Sequence, residues 1–180
     1  MIMADLKDRI IRAAKLDVGL YEEVEADKGA LGQAMAVVVL SSLAAGVGAS
    51  QGGLAGIVFG IIAALIGWYA WAYITYIIGT KFLPEPQTEA DLGQLLRTTG
   101  FSSSPGLIRV LGIVPGLAGV VFLVASIWML VAMVIAVRQA LDYSSIFRAV
   151  GVCLIGWVVQ VLIIVLLFSI LSEATMGVGV

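Results

Sequence analysis

Of 180 residues, 61% are hydrophobic and 12% charged, with a mean hydropathy of +1.10. That leaves too little polar surface to cover a soluble domain of this size, so most of the chain must face lipid or another membrane helix. The net charge of −2 offers no basic face to nucleic acid. Histidine is absent and Cys153 is the single cysteine, which excludes bis-imidazole haem ligation, a histidine proton relay, a Ser-His-Asp triad and a zinc or iron–sulfur site. No cofactor and no protein-ligated metal or haem is expected.

In chain order, Ala4–Lys15 repeats apolar residues at Leu6, Ile10, Ala13 and Ala14, with Lys7, Asp8, Arg9, Arg12 and Lys15 on the other faces. This pattern predicts an amphipathic helix, either lying on the membrane or docked on the protein's own cytoplasmic face. Leu16–Gly29 follows as an acidic connector carrying Asp17, Glu22, Glu23, Glu25 and Asp27. Residues 1–29 thus form a cytoplasmic segment and 30–180 a membrane bundle. A cleaved signal peptide fits poorly, because its leading region would be long and rich in carboxylates.

The first span is expected at about 30–49, and the tight "SQGG" returns the chain into a second at 54–79. Gly52, Gly56, Gly60 and Ala64 recur every fourth residue, a small-residue stripe suited to close helix contact, either within this hairpin or between copies. Trp68, Trp71, Tyr73 and Tyr76 crowd the lower half of the second span. Tyr73 and Tyr76 suit an interfacial belt near Lys81. Trp68, about 16 Å above Gly79 at the helical rise, lies too deep for a belt, which leaves ordinary packing or an aromatic cradle for a quinone, pigment or acyl chain.

"LPEPQTEADLGQLLRTTG" then changes character. Two prolines end the second span, Thr88 with Asp91 forms a variant capping box, and Leu92, Leu95 and Leu96 form an apolar stripe stopped by Gly100. A short cytoplasmic surface helix is predicted. From Pro105 to Arg138 the apolar stretch would be about 51 Å as one helix, against a hydrocarbon core of about 30 Å. Pro115-Gly116 breaks it, giving a short third helix at 105–114 and a full span at 116–137. A fifth span is expected at 149–171.

Charge sets the topology. If the short helix carries the chain across, Arg138 and Arg148 join Lys7, Arg9, Arg12, Lys15, Lys81 and Arg97 on one side. The positive-inside rule then gives five crossings, a cytoplasmic N-terminus and a C-terminus outside, in a multi-pass protein of the cell (inner) membrane. Arg109 and Gln160 are the strongly polar side chains inside spans. A guanidinium at mid-bilayer costs about 2.5–3.5 kcal/mol on insertion scales, so Arg109 should snorkel, pair or line a polar cavity. One helical turn past Pro105, it can reach Ser102, Ser103 and Ser104 or headgroups. The same group, with the exposed amides at this helix start, would suit a lipid phosphate or another anion.

Taken together, "LKDRIIRAAKLDVGLYEEVEAD", "TTGFSSSPGLI", "IWMLVAMVIAVRQALDYSS" and "FRAVGVCLIGWVV" resemble the Yip (Ypt-interacting protein) family, particularly its prokaryotic branch, over nearly the whole chain. The resemblance implies an all-α polytopic bundle and a membrane protein without an assigned reaction. Eukaryotic members are associated with small GTPases and with Golgi and reticulum membranes. Their Asp-Leu-Tyr-Gly-Pro type motif is not found in "LDVGLYEEVEAD", so the GTPase role does not carry over. The implied function is a non-catalytic organiser or adaptor that packs against membrane lipids and against other integral membrane proteins or itself. An accessory subunit of an energy-transducing or transport complex is the alternative. A transporter for a small or lipidic solute would need intramembrane carboxylates or an internal repeat, and the spans show neither.

Overall fold

A computed structural model describes the backbone over residues 2–49 and 53–177, and the side chains over 6–49 and 53–166. The described elements are helical throughout. α1 (Ile2–Ala14) buries Ala13 and packs Leu6 and Ile10 against the bundle. It ends where Leu16 takes a left-handed φ of 62°, and Trp128 donates its indole N–H to the Ala14 carbonyl at 2.8 Å. The docked placement is therefore the one observed.

The acidic connector is itself a helix, α2 (Val18–Ala26). Asp17 caps it by accepting from the Gly19 N–H at 3.0 Å, and Leu20, Tyr21 and Val24 form a fully buried stripe. Glu22 is exposed while Glu23 and Glu25 are half-buried beside Arg12 and Gln94, so these carboxylates belong to a helix and do not mark a loop. Asp27 then caps a short 3₁₀ turn, Lys28–Ala30, that leads into α3 (Leu31–Ala49).

α4 (Gly53–Ile77) runs into a π turn, Ile78–Phe82. The Tyr143 hydroxyl secures this turn by donating toward the carbonyls of Leu83 at 2.7 Å and Gly79 at 3.2 Å. Gly79 is needed here: a Cβ would run into the Leu141 side chain.

α5 (Leu92–Phe101) corrects the predicted surface helix in two respects. Its capping box pairs Asp91 with Gln94, while the Thr88 hydroxyl accepts from the Glu85 N–H at 3.0 Å. Every residue from Leu95 to Phe101 is buried. Burial is possible because the polar side chains are satisfied locally. Thr98 and Thr99 bond to carbonyls of their own helix, and Arg97 donates to the Val24 carbonyl at 2.9 Å and to that of Glu25. Those carbonyls end α2, where a cation is favoured by the helix dipole.

The third helix is Ser104–Ile113, and it is 3₁₀ over all ten residues. At about 2.0 Å per residue it is about 20 Å long, against about 15 Å for the α-helix expected there. It continues α5 alongside α3 in the same direction. A Cβ on Gly100 would lie 2.7 Å from Ala34 Cβ, one on Gly106 would meet Ser41 and Met129 Sδ (2.8 Å), and one on Gly112 would lie 2.8 Å from the Gly48 carbonyl oxygen. Ala34, Ser41 and Gly48 are seven residues apart on α3, and their partners are six apart. Over Ser41–Gly48 seven α-helical residues rise about 10.5 Å, and over Gly106–Gly112 six 3₁₀ residues rise about 12 Å, so the two rows stay close to register there through about two turns. Small residues on both rows let the two backbones touch.

The predicted break is a turn in which the Leu117 N–H reaches the Val114 carbonyl at 3.1 Å, with Pro115 second and Gly116 third at φ 83°. This is type II chemistry, which favours proline and then glycine at those positions. α6 (Ala118–Ala140) starts two residues after the expected 116 and runs three past 137, and α7 (Ile146–Gly177) extends past the expected 149–171 at both ends. Among the described residues, four helical stretches suffice by length and composition to cross a membrane: 28–49, 53–82, 118–140 and 146–166.

α1, α2 and the two loops near Glu85 and Ser144 gather at one end. Arg148 pairs with Glu85 at 3.1 Å, and Gln139 donates to Glu22 at 2.9 Å. One apolar cluster joins α1 and α2 to α3, α5 and α6, and a second joins α4, α5, α6 and α7.

Candidate functional site

The arginines sort by partner. Arg9 is buried and fans its guanidinium to Glu23 (2.9 Å), Asp27 (2.9 Å) and Gln33 (2.8 Å). Arg12 bridges Asp17 (2.8 Å) and Glu23 (2.6 Å). Arg97 takes two backbone carbonyls, Arg138 donates to the carbonyls of Tyr143 (3.1 Å) and Ser144 (3.3 Å), and Arg148 reaches Glu85. Each thus meets a carboxylate or a backbone carbonyl. Arg109 meets neither: its Nη2 lies 3.4 Å from Ser126 Oγ, its guanidinium sits 5.6 Å from the centre of the Phe122 ring, and Nε is buried without a described partner.

These contacts tune the groups at the polar end. Hydrogen bonds from Arg12 hold the carboxyls of Asp17 and Glu23 below the usual range, and Arg9 does the same for Asp27. The Ser144 N–H (3.0 Å) and hydroxyl (2.7 Å) hold Glu85 low. Glu25 behaves oppositely: burial first, then the nearby negative charge of Asp142, pushes its carboxyl up to about 7, with Arg97 opposing.

Arg109 lies on the wall of a half-open chamber of about 390 Å³, within the range of small-molecule sites, about 300–1,000 Å³. α3 contributes Ser41, Ser42 and Gly46, the α5–3₁₀ segment Thr99, Ser103 and Arg109, α6 Met129 and Met133, and α7 Gln160. The expected stripe on α4 lines it too: Gly56, Gly60 and Ala64, continued by Gly67. Space opens at Gly60 and Gly67, where a Cβ would have nothing within 4 Å. Across the hairpin, Ile57 packs close to Gly46. Gly52 lies outside the described residues.

Trp68 and Trp71 close the other end of the chamber. Trp68 donates to the Leu96 carbonyl (3.1 Å) and Thr99 Oγ1 (3.2 Å), and Trp71 toward Met133 Sδ (3.2 Å). Tyr73 is exposed and Tyr76 packs on the apolar cluster, so neither lines the chamber.

The serines separate. Ser103 lines the chamber, Ser102 is buried with its hydroxyl donating to the Thr99 carbonyl at 2.7 Å, and Ser104 Oγ is buried without a described partner. None of the three has a described hydrogen bond to Arg109. The expected reach from Arg109 to Ser104 assumes α-helical spacing, whereas the 3₁₀ winding lifts Arg109 about 10 Å above Ser104. Its carbonyl packs against Gly48, near the opposite end of α3 from the charged cluster. Gln160, Ser41 and Met129 enter the site through the tertiary fold, with no local motif in the sequence to announce them.

Among the described residues, an all-α bundle with four membrane-length apolar helices and a charged cluster at one end defines a multi-pass integral membrane protein. The family model for the Yip1 domain matches residues 21–168, and the chain belongs to that family. The match begins inside α2, so α1 precedes it. No curated protein and no solved structure matches the chain.

Proposed function

We propose that this protein is a non-catalytic membrane organiser of the Yip type, holding a rigid polar platform at one membrane face while its apolar flanks pack against lipids and neighbouring membrane proteins. The observation that carries this reading is the way the platform is fixed. Arg9 ties α1 to Glu23 and Asp27 around α2, and Arg97 pins the end of α2 from within the bundle. A platform tied down this firmly suits recognition by another protein. Among the described residues, the chamber wall holds hydroxyls, an amide and one guanidinium but no carboxylate or thiol, a poor set for acid–base or nucleophilic chemistry.

In this proposal the chain crosses five times, with α5 and the 3₁₀ helix together as the third crossing. The in-register run from Gly100 to Gly112 beside Ala34 to Gly48 supports it, because the chain climbs the height of α3 over that stretch. Arg138 and Arg148 then share the cytoplasmic side with the N-terminal platform, and the C-terminus lies outside. Mild-detergent purification followed by identification of co-migrating proteins tests the function. The organiser reading expects a homo-oligomer or substoichiometric partners. A stoichiometric redox or transport complex would make the protein an accessory subunit instead.

A further inference from the structure

We propose that the chamber binds one anionic lipid, its acidic headgroup at Arg109 and one acyl chain lying along Gly60, Ala64 and Gly67 toward Trp68 and Trp71. Charge is the first argument. Arginine stays protonated in proteins, and a charge held in a low-dielectric bundle needs a counter-charge. The sequence places no Asp or Glu between 31 and 82, between 92 and 141, or between 143 and 171. The other arginines take carboxylates or backbone carbonyls toward the polar end, while Arg109 is at the opposite end of the bundle with Ser126 Oγ at 3.4 Å and a buried Nε that has no partner among the described residues. Among the described residues no carboxylate reaches Arg109, so the proposed counter-anion comes from outside the chain.

Shape supplies the second argument. From Gly56 to Trp71 the chamber follows α4 for about 22 Å at the helical rise, longer than one leaflet of a hydrocarbon core of about 30 Å. A small anion would fill only the Arg109 end. The missing side chains at Gly60 and Gly67 leave a trough at the depth of acyl chains, and Met129 and Met133 offer adaptable apolar wall opposite. A phosphate or carboxylate can take paired N–H bonds from the guanidinium, and Gln160 is a further polar group on the chamber lining. This inference stands apart from the organiser role, since it concerns what fills the bundle and not what meets the platform.

The test is native mass spectrometry of the full-length protein released from bilayers of equimolar phosphatidylglycerol and phosphatidylcholine. The wild type is expected to retain one phosphatidylglycerol. Arg109→Gln should lower retention about tenfold or more, as for loss of a charge-assisted hydrogen bond, and Arg109→Lys should keep most of it. Gly60→Leu should abolish retention with Arg109 intact by filling the trough; Gly67→Leu serves the same purpose if that variant fails to elute as a folded species. Adding palmitate distinguishes the source of the anion: displacement of phosphatidylglycerol by palmitate assigns the site to a free fatty acid. Equal retention of both phospholipids, or wild-type retention in Arg109→Gln and in the trough variant, would overturn the proposal.

Discussion

Gly48→Ala separates the account of the third helix from a generic glycine effect. In a helix interior, Gly to Ala should stabilise by up to about 1 kcal/mol through propensity. At Gly48, however, the new methyl would fall within the van der Waals envelope of the Arg109 carbonyl oxygen and 3.3 Å from the Phe122 ring. Backbone cannot swing aside as a side chain can, so the overpacking cost sits toward the top of the usual range of about 1–3 kcal/mol. The net expectation is a loss of about 1–2 kcal/mol, or about 2–8 °C in apparent Tm for a chain of this length. Gly60→Ala is the internal control, because its methyl enters open space and only the propensity gain remains. Thermal unfolding of both variants in one detergent, followed by tryptophan fluorescence, reads the difference. If Gly48→Ala matches or exceeds Gly60→Ala in Tm, the 3₁₀ helix does not lie against α3 as described.

Two further outcomes concern the polar end. Arg97→Met should strand the carbonyls of Val24 and Glu25, at about 1–3 kcal/mol for a buried unsatisfied acceptor, and speed amide exchange across 18–30 while leaving α6 protected; uniform protection would refute the pin. Glu25, pushed up to about 7 in the folded protein from an ordinary 4.5, favours the folded state only while protonated. Stability should therefore fall as pH rises from about 4.5 to about 7 and level off above that, and Glu25→Gln should flatten this slope in a Tm-versus-pH series. Asp17, Glu23 and Asp27, held low by Arg12 and Arg9, act in the opposite sense: their contribution is present above the ordinary carboxylate range and lost as pH falls through it.

Long apolar runs with glycine and proline punctuation are legible in sequence, and the spans at 31–49 and 53–77 begin within a residue of where the pattern puts them. Pro115-Gly116 is likewise readable as a turn, since few backbones accommodate that dipeptide otherwise. Burial of α5 is hidden because Thr98, Thr99 and Arg97 look solvated, yet each is satisfied by a carbonyl. α2 is hidden because its carboxylates mask the stripe of Leu20, Tyr21 and Val24. The 3₁₀ winding of 104–113 has no signature of its own in the sequence; it is visible only in the fold, where Gly106 and Gly112 meet Ser41 and Gly48. Polarity is a guide to exposure only where a side chain has no carbonyl within reach. That also explains why Arg109 was legible as an anomaly while its neighbours were not.

The crossing made by α5 and the 3₁₀ helix is the central claim, because it decides which loops share a membrane face. Replacing Cys153 with alanine and placing single cysteines at Glu89, Leu117 and Ser144 allows labelling of intact cells with a membrane-impermeant maleimide; Leu117 is exposed beside the Pro115-Gly116 turn. Leu117→Cys should label from outside, and Glu89→Cys and Ser144→Cys only after permeabilisation. Labelling of Ser144→Cys from outside, with Leu117→Cys protected, would show that the segment turns back and would contradict the five-crossing account.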